Sequence, residues 1–473
     1  MFVKFILPAL TEAKSIYWRS IKYSLFPPLG LASLAGYLTE DDKAVIEDEH
    51  VEKLNFDDLP DICAIQTYIT SAARSYEIAG KYKKKGSYVV LGGLHPTALP
   101  DEATKYADTI ILGPAEEAWP EFLSDYRRGS PKRVYRSKSR TLENMPFPRR
   151  DLINKKLYLV PNLIVVSRGC PHTCDFCYKE DFYKGGKSFY VQRIDRILEE
   201  IDTLPGKHLF FLDDHLFGNK KFALELFRAL QGMDRVWQAA GTVRSVNDHE
   251  VFDAAVMSGL SSLFIGFETL NFDNLKSQNK LHNINTDYDK AVRALHSSGV
   301  MINGSFIFGL DHDDKTVFER TVDWAVTRSI ETATFHILTP YPGTRLYISL
   351  QKQKRLLTRD WNKYDTRHSV FLPKNMTPSE LEAGYKHAYK MFYSWSNILK
   401  STAQKDEFSF KLRHFMYTAG WKKFEGLWEF IIRKQKVYNM IPLLEKLLSH
   451  KTPFKPSLPA ATNIELKKFS DTG

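Results

Sequence analysis

Asn162-Leu-Ile-Val-Val-Ser-Arg-Gly-Cys170-Pro-His-Thr-Cys174-Asp-Phe-Cys177 carries three of the four cysteines in this 473-residue chain. Its first part, Asn162–Ser167, is an unbroken, mostly apolar run without charge, which reads as a parallel strand covered on both faces. The cysteines then sit on the loop leaving the strand's C-terminal end. Thiolates spaced four and three residues apart can hold three irons of a cubane cluster, leaving the fourth iron without a protein ligand. An open metal position suits chemistry, whereas a structural site avoids one. Zinc is the competing reading, but it draws paired Cys-x-x-Cys units and a fourth ligand.

Outward from this stretch, apolar runs alternate with helical periodicity. Strands are expected at Asn162–Ser167, His208–Leu212, Val236–Ala240, Ser262–Phe267, Met301–Phe308 and Thr332–Leu338, with helices such as Val191–Asp202, Lys221–Gln231 and Tyr288–Ser298 between them. Six such units fit a partial (β/α)6 barrel with its working residues on the loops after the strands. Upstream, short strands from Phe2–Leu7 to Thr109–Leu112 alternate with helices at Leu29–Leu38, Ala72–Lys83 and Ala115–Tyr126. That alternation predicts a doubly wound, Rossmann-like α/β domain, with its ligand at the C-terminal strand ends. The expected division is 1–130 for this domain, 131–160 for a polar linker, 161–375 for the barrel, 376–450 for a helical region and 451–473 for a loose tail.

Composition sets bounds. Hydrophobic residues make up 43% and charged residues 26%, as in ordinary globular proteins. A net charge of +10 over this length permits an anionic partner and does not demand nucleic acid, none of which is expected here. With three cysteines committed to one motif, disulfides are no part of the design, and a cytoplasmic location is expected. The fourth, Cys63, reads as a small core residue. No stretch of about 18 apolar residues exists to span a bilayer.

With these pieces in order, the chain resembles the cobalamin-binding radical S-adenosylmethionine (SAM) proteins, the class that includes many carbon methyltransferases. The resemblance covers roughly residues 1–375. It is carried by Cys170, Cys174 and Cys177 with the aromatic Phe176, by Phe26-Pro-Pro-Leu-Gly30, by Val89-Val-Leu-Gly-Gly93 with His95-Pro96, and by Leu338-Thr-Pro-Tyr-Pro-Gly-Thr344. It implies a [4Fe-4S] cluster held by the three cysteines, SAM chelating the open iron, and reductive SAM cleavage to a radical that activates substrate. It also implies cobalamin as methyl carrier, a small-molecule or lipid substrate, and flavodoxin or ferredoxin as electron donor. A non-methylating radical reaction (cyclisation, rearrangement or transfer of another SAM fragment) and a tRNA-associated or non-catalytic iron–sulfur protein are the alternatives.

Further site residues follow from position. Asp213 and Asp214 end a strand and suit the SAM ammonium or ribose, although acids there also cap turns. Arg244 could pair with the SAM carboxylate. Glu268 is a candidate for the ribose hydroxyls, and Gly304 and Gly309 bound the strand that resembles the class's adenine contact. Gly92 and Gly93 let backbone approach cobalamin, and His95 could line its face. Many cobalamin proteins carry Asp-x-His-x-x-Gly after the first strand, where this chain has Pro8-Ala-Leu-Thr-Glu12 instead; Asp48-Glu49-His50 is a partial echo after the second strand, with Lys53 where Gly is required. His215, His312, Tyr341 and Tyr347 lie on barrel loops. The aromatic and basic helices beyond Thr377 are expected to pack on the barrel, with peripheral membrane contact as a second use.

Overall fold

The computed structural model describes residues 1–13, 24–138 and 140–449. Two parallel six-stranded sheets organise it. The first comprises β1 (Phe2–Leu7), β2 (Lys43–Asp48), β3 (Ile62–Gln66), β4 (Tyr88–Gly92), β5 (Thr109–Leu112) and β6 (Val134–Arg136), in the order β2-β1-β3-β4-β5-β6. The two-residue period divides each strand between two cores. Val3, Phe5, Ile62 and Ala64 pack under Trp119 and Phe122, whereas Ile6, Cys63 and Ile65 pack under Ile78 and Tyr82. Cys63 is thus the core residue expected, and burial pushes its thiol pKa up. β6 falls inside the stretch read as linker; its three residues are too few for periodicity to register.

The second sheet is the partial barrel. Its strands are β7 (Leu163–Ile164), β10 (His208–Phe211), β11 (Val236–Gly241), β12 (Leu260–Glu268), β13 (Met301–Phe308) and β14 (Thr332–Ile337), in the order β14-β13-β12-β11-β10-β7. Phe267, Phe306, Phe308 and Phe335 form a ladder of stacked rings on its outer face, beneath the helices. The strand expected at 162–167 is broken. After β7 the chain leaves the barrel, and β8 (Ser167–Gly169) pairs antiparallel with β9 (Phe189–Val191). The break has a local cause: the Asp213 carboxylate, just past β10, accepts the N–H groups of Val166 and Ser167, so the parallel ladder ends there.

The C-terminal region is helical. The expected helix Pro378–Lys400 is two, Pro378–Phe392 and Trp395–Ala403, because the Ser394 hydroxyl caps the second by accepting the Asn397 N–H. Helices Phe408–Lys422, Glu425–Arg433 and Ile441–Leu448 follow. Buried Glu331 anchors them to the barrel, pairing with Lys405 at 2.6 Å and His414 at 3.3 Å. The expected tail, 451–473, lies outside the described residues.

Candidate active site

The thiol loop is held from three sides before any ligand arrives. Gly169 has φ +80, and a first side-chain carbon there would fall 1.9 Å from the Ser188 carbonyl oxygen, so only glycine passes. Beyond it the Cys170 N–H donates to that same oxygen at 3.0 Å. The Asp175 N–H donates to the Gln278 carbonyl, the Leu346 N–H to the Asp175 carbonyl, and the Asn279 amide to the Thr173 carbonyl. Within the loop the Cys177 N–H closes a turn onto the Cys174 carbonyl.

Cations surround the thiols. Lys179 pairs with Asp214 at 2.8 Å, and Lys280 with Glu268 at 2.5 Å. Burial pushes all three thiols up, Cys174 to about 12, while Lys179 and Lys280 act in the opposite sense. Thiols poised this way release protons when they bind metal. Beside them His172 stacks on His282 with ring centroids 3.8 Å apart, and His215 lies 5.3 Å from His172. Burial and the neighbouring positive charges push His215 down to about 3 and His282 to about 2, so both rings are neutral near pH 7. Arg244 is exposed and makes no ion pair among the described residues, and its charge is felt by His172 and His282.

Two cavities border the stretch before this loop, the first at Ser167 and Arg168, the second at Asp213, which accepts the Ser167 N–H. One, of about 560 Å³, lies between the first sheet and the barrel. Gly92, Gly93 and Gly113 line it from one side, Ser167, Arg168, Leu212 and Asp214 from the other. The second, of about 600 Å³, is the apolar interior of the barrel, walled by Phe210, Phe264 and the C-terminal helices. Phe26 and Leu212 line both.

Residues 164–325 match the model of the radical SAM superfamily. The bacteriochlorophyllide d C-12(1)-methyltransferase of Chlorobaculum tepidum is 34% identical over 353 residues, covering 72% of this chain and 76% of that protein. The chain belongs to the radical SAM superfamily. The hopanoid C-2 methylase of Rhodopseudomonas palustris is 25% identical over 71% of this chain and 66% of its own length. In fold, this radical SAM protein is similar to the methyltransferase TsrM from Kitasatospora setae, solved with cobalamin and a [4Fe-4S] cluster bound. The TM-score is 0.63 at 13% identity, over 92% of this chain and 99% of that one.

The superfamily's enzymes use a [4Fe-4S] cluster and SAM, and the residues here fit both. Cys170, Cys174 and Cys177 share one loop within electrostatic range of one another. Among the described residues no three His, Cys, Asp or Glu side chains are grouped so as to hold a single metal ion. Arg244 and Glu268 flank the loop, and the Phe176 ring lies 5.9 Å from the Lys280 ammonium.

Several residues expected at the site are engaged elsewhere. Asp213 is buried and braces the β7–β8 crossover, accepting the Ser167 hydroxyl at 2.6 Å as well as the backbone N–H groups; burial raises its pKa to about 6. Gly304 faces outward against Phe306, Ile330 and Phe267, so it makes room for core packing and not for adenine. Gly309, at φ +91, forms a turn whose N–H donates to Asp313 and packs on Leu381. His95 is fully buried, with Nε2 2.9 Å from the Tyr76 hydroxyl and 3.0 Å from Glu102, facing away from the cavity that Gly92 and Gly93 line. Both ring nitrogens of His50 are engaged, by Asp48 and by the Leu10 N–H. His312 is exposed, and Tyr347 is core. Tyr341 lines a smaller cavity between the first sheet and the barrel loops, shared with Tyr68 and Tyr178. Conversely, position alone did not bring forward His172, Lys179, His282 or Lys280. The two residues inside the cysteine motif or next to it, His172 and Lys179, were the legible ones.

Proposed function

We propose that this enzyme is a cobalamin-dependent methyltransferase acting at carbon on an apolar small molecule or lipid. The observation that carries the reading is the inter-domain cavity: its floor is glycine backbone at the ends of β4 and β5, and its roof includes Asp214 and Ser167 beside the thiol loop. At Gly93, φ is +113 and a first side-chain carbon would stand 2.8 Å from the Thr67 carbonyl oxygen, so the backbone can take this path only as glycine. Glycine is required there for the chain's course past Thr67, and the backbone of Gly92 and Gly93 so placed lines a cavity that suits the broad face of a corrin. Bound there, cobalamin would supply a transferable methyl group, and the cluster with SAM would supply the radical that opens a carbon–hydrogen bond.

The protein's own residues hold and shield. Cys170, Cys174 and Cys177 would anchor the cluster. Arg244 would pair with the SAM carboxylate, and Glu268, steadied by Lys280, would reach its hydroxyls. The neutral imidazoles of His172, His215 and His282 add no charge to a site already rich in cations. The Arg168–Glu116 pair, at 2.7 Å, ties the barrel side to the first domain at the cavity that both residues line. The relatives' named substrates, a bacteriochlorophyllide and a hopanoid, are large and mostly apolar, in keeping with the barrel cavity.

The test is anaerobic reconstitution with iron, sulfide and hydroxocobalamin, followed by SAM and reduced flavodoxin or ferredoxin. Bound corrin, with 5′-deoxyadenosine and S-adenosylhomocysteine formed together, is the expected result. A full cluster without corrin contradicts the proposal and favours a non-methylating radical reaction.

A further inference from the structure

The barrel cavity reaches the molecular surface through the C-terminal helices. Four of its lining residues, Met416, Phe424, Leu427 and Leu443, are also exposed, at 39, 45, 53 and 43%. On the same helices Phe408, Leu412 and Phe430 are exposed at 80, 51 and 59%, extending the apolar surface outward from that rim. Apolar patches of this kind on a folded chain mark a binding face. Cations accompany them: Lys434 and Lys436 are exposed, and the Lys434 ammonium lies 6.0 Å from the Phe430 ring centre. Residues 405–449 hold nine Lys and Arg against five Asp and Glu, two of the nine, Lys405 and Arg413, being turned inward onto Glu331 and the Gly299 carbonyl. The inner end of the same cavity meets the inter-domain cavity at Phe26 and Leu212.

We infer that helices Phe408–Lys422, Glu425–Arg433 and Ile441–Leu448 dock on an anionic phospholipid surface, and that the gap they frame admits an apolar substrate from the bilayer into the barrel. Charge and shape select this occupant. Apolar side chains edged by lysines match the interface of an anionic leaflet, where acyl chains take the first and headgroups the second. A protein partner seated on the patch would plug the cavity behind it, whereas a lipid surface leaves it open to what the lipid carries. No described helix is long and apolar enough to cross a membrane, so the contact is peripheral. The substrate's onward path rests on the methyl-transfer reading. Vesicle docking does not, since it needs neither cluster nor corrin.

Flotation of the full chain with vesicles, either phosphatidylcholine alone or rich in phosphatidylglycerol, tests this directly. Binding to the anionic vesicles is expected to be about tenfold or more tighter and to weaken in high salt. The double variant Lys434→Glu with Lys436→Glu is expected to lower it about fivefold or more while leaving the thermal unfolding curve in place. Phe430→Ser with Leu427→Ser is expected to remove most of what remains. No binding, equal binding to both vesicles, or binding indifferent to these substitutions overturns the inference. So does a dimer in sedimentation velocity that Phe430→Ser dissociates, since a second copy would then cover the patch.

Discussion

At the C-terminal ends of its strands the first sheet presents Gly92, Gly93 and Gly113, while the barrel presents three thiols, Asp214, Arg244 and Glu268. Both sheets are parallel, six-stranded and cored by alternating apolar residues, so the difference lies in the loops. Glycine ends offer a surface, close and uncharged, for a broad ligand to lie against. Charged and thiol ends offer bonds. On the proposed reading one half shapes a cavity and the other supplies the chemistry, so damage to each half should have its own signature.

The sharpest break comes from Cys174→Ala. Cluster absorbance and SAM cleavage are expected to fall below detection, while corrin still binds and the circular dichroism is unchanged. Loss of corrin in the same variant would merge the two halves into one site. Next comes the mirror experiment, Gly93→Ala. Holding an alanine at that backbone angle against the Thr67 carbonyl costs about 1–3 kcal/mol. Corrin affinity is expected to drop about tenfold, with iron and sulfide content unaltered.

A smaller effect is expected at the seam. Arg168→Gln leaves Glu116 without its partner in a mostly buried setting, a loss of about 1–3 kcal/mol. It should weaken corrin binding severalfold and speed proteolysis between residues 131 and 160. The effect with least bearing on either site is a pH slope within the barrel. Burial raises the Asp313 pKa to about 7 even though the N–H groups of Gly309 and Leu310 donate to it. An acid with a folded pKa above its unfolded value favours the folded state most when protonated. Its contribution is therefore present below about pH 4 and lost as pH rises to about 7. Asp313→Asn should flatten that part of the melting-temperature profile relative to the parent, by an amount on the order of 2–4 kcal/mol across the window.

Most strands were legible because burial on both faces leaves apolar runs that few other structures produce; β1, β5 and β13 end where the runs end. The cysteine loop was legible through spacing alone. What misled was side-chain direction. Gly304 shares the parity of Ile302, Phe306 and Phe308, the outward residues of β13, and that parity assigns it to the helix-facing layer. Asp213 had the right address at a strand end, but its partners Val166 and Ser167 come from another strand's crossover, a pairing no local pattern encodes. His95 follows the glycine turn of the loop that lines the inter-domain cavity, yet the short helix Leu94–Ala98 rotates it into Tyr76 and Glu102. Lys280 and His282 reach the thiols from a short turn more than a hundred residues downstream, a distance that only the folded barrel closes.

The claim that the two halves hold two separate groups is tested most directly by metal and corrin stoichiometry on one anaerobic preparation of the parent, Cys174→Ala and Gly93→Ala. The account predicts about four irons and one corrin for the parent, corrin without cluster for Cys174→Ala, and cluster with depleted corrin for Gly93→Ala. A parent that loads its cluster fully and takes up no corrin, or variants that lose both groups together, would contradict it.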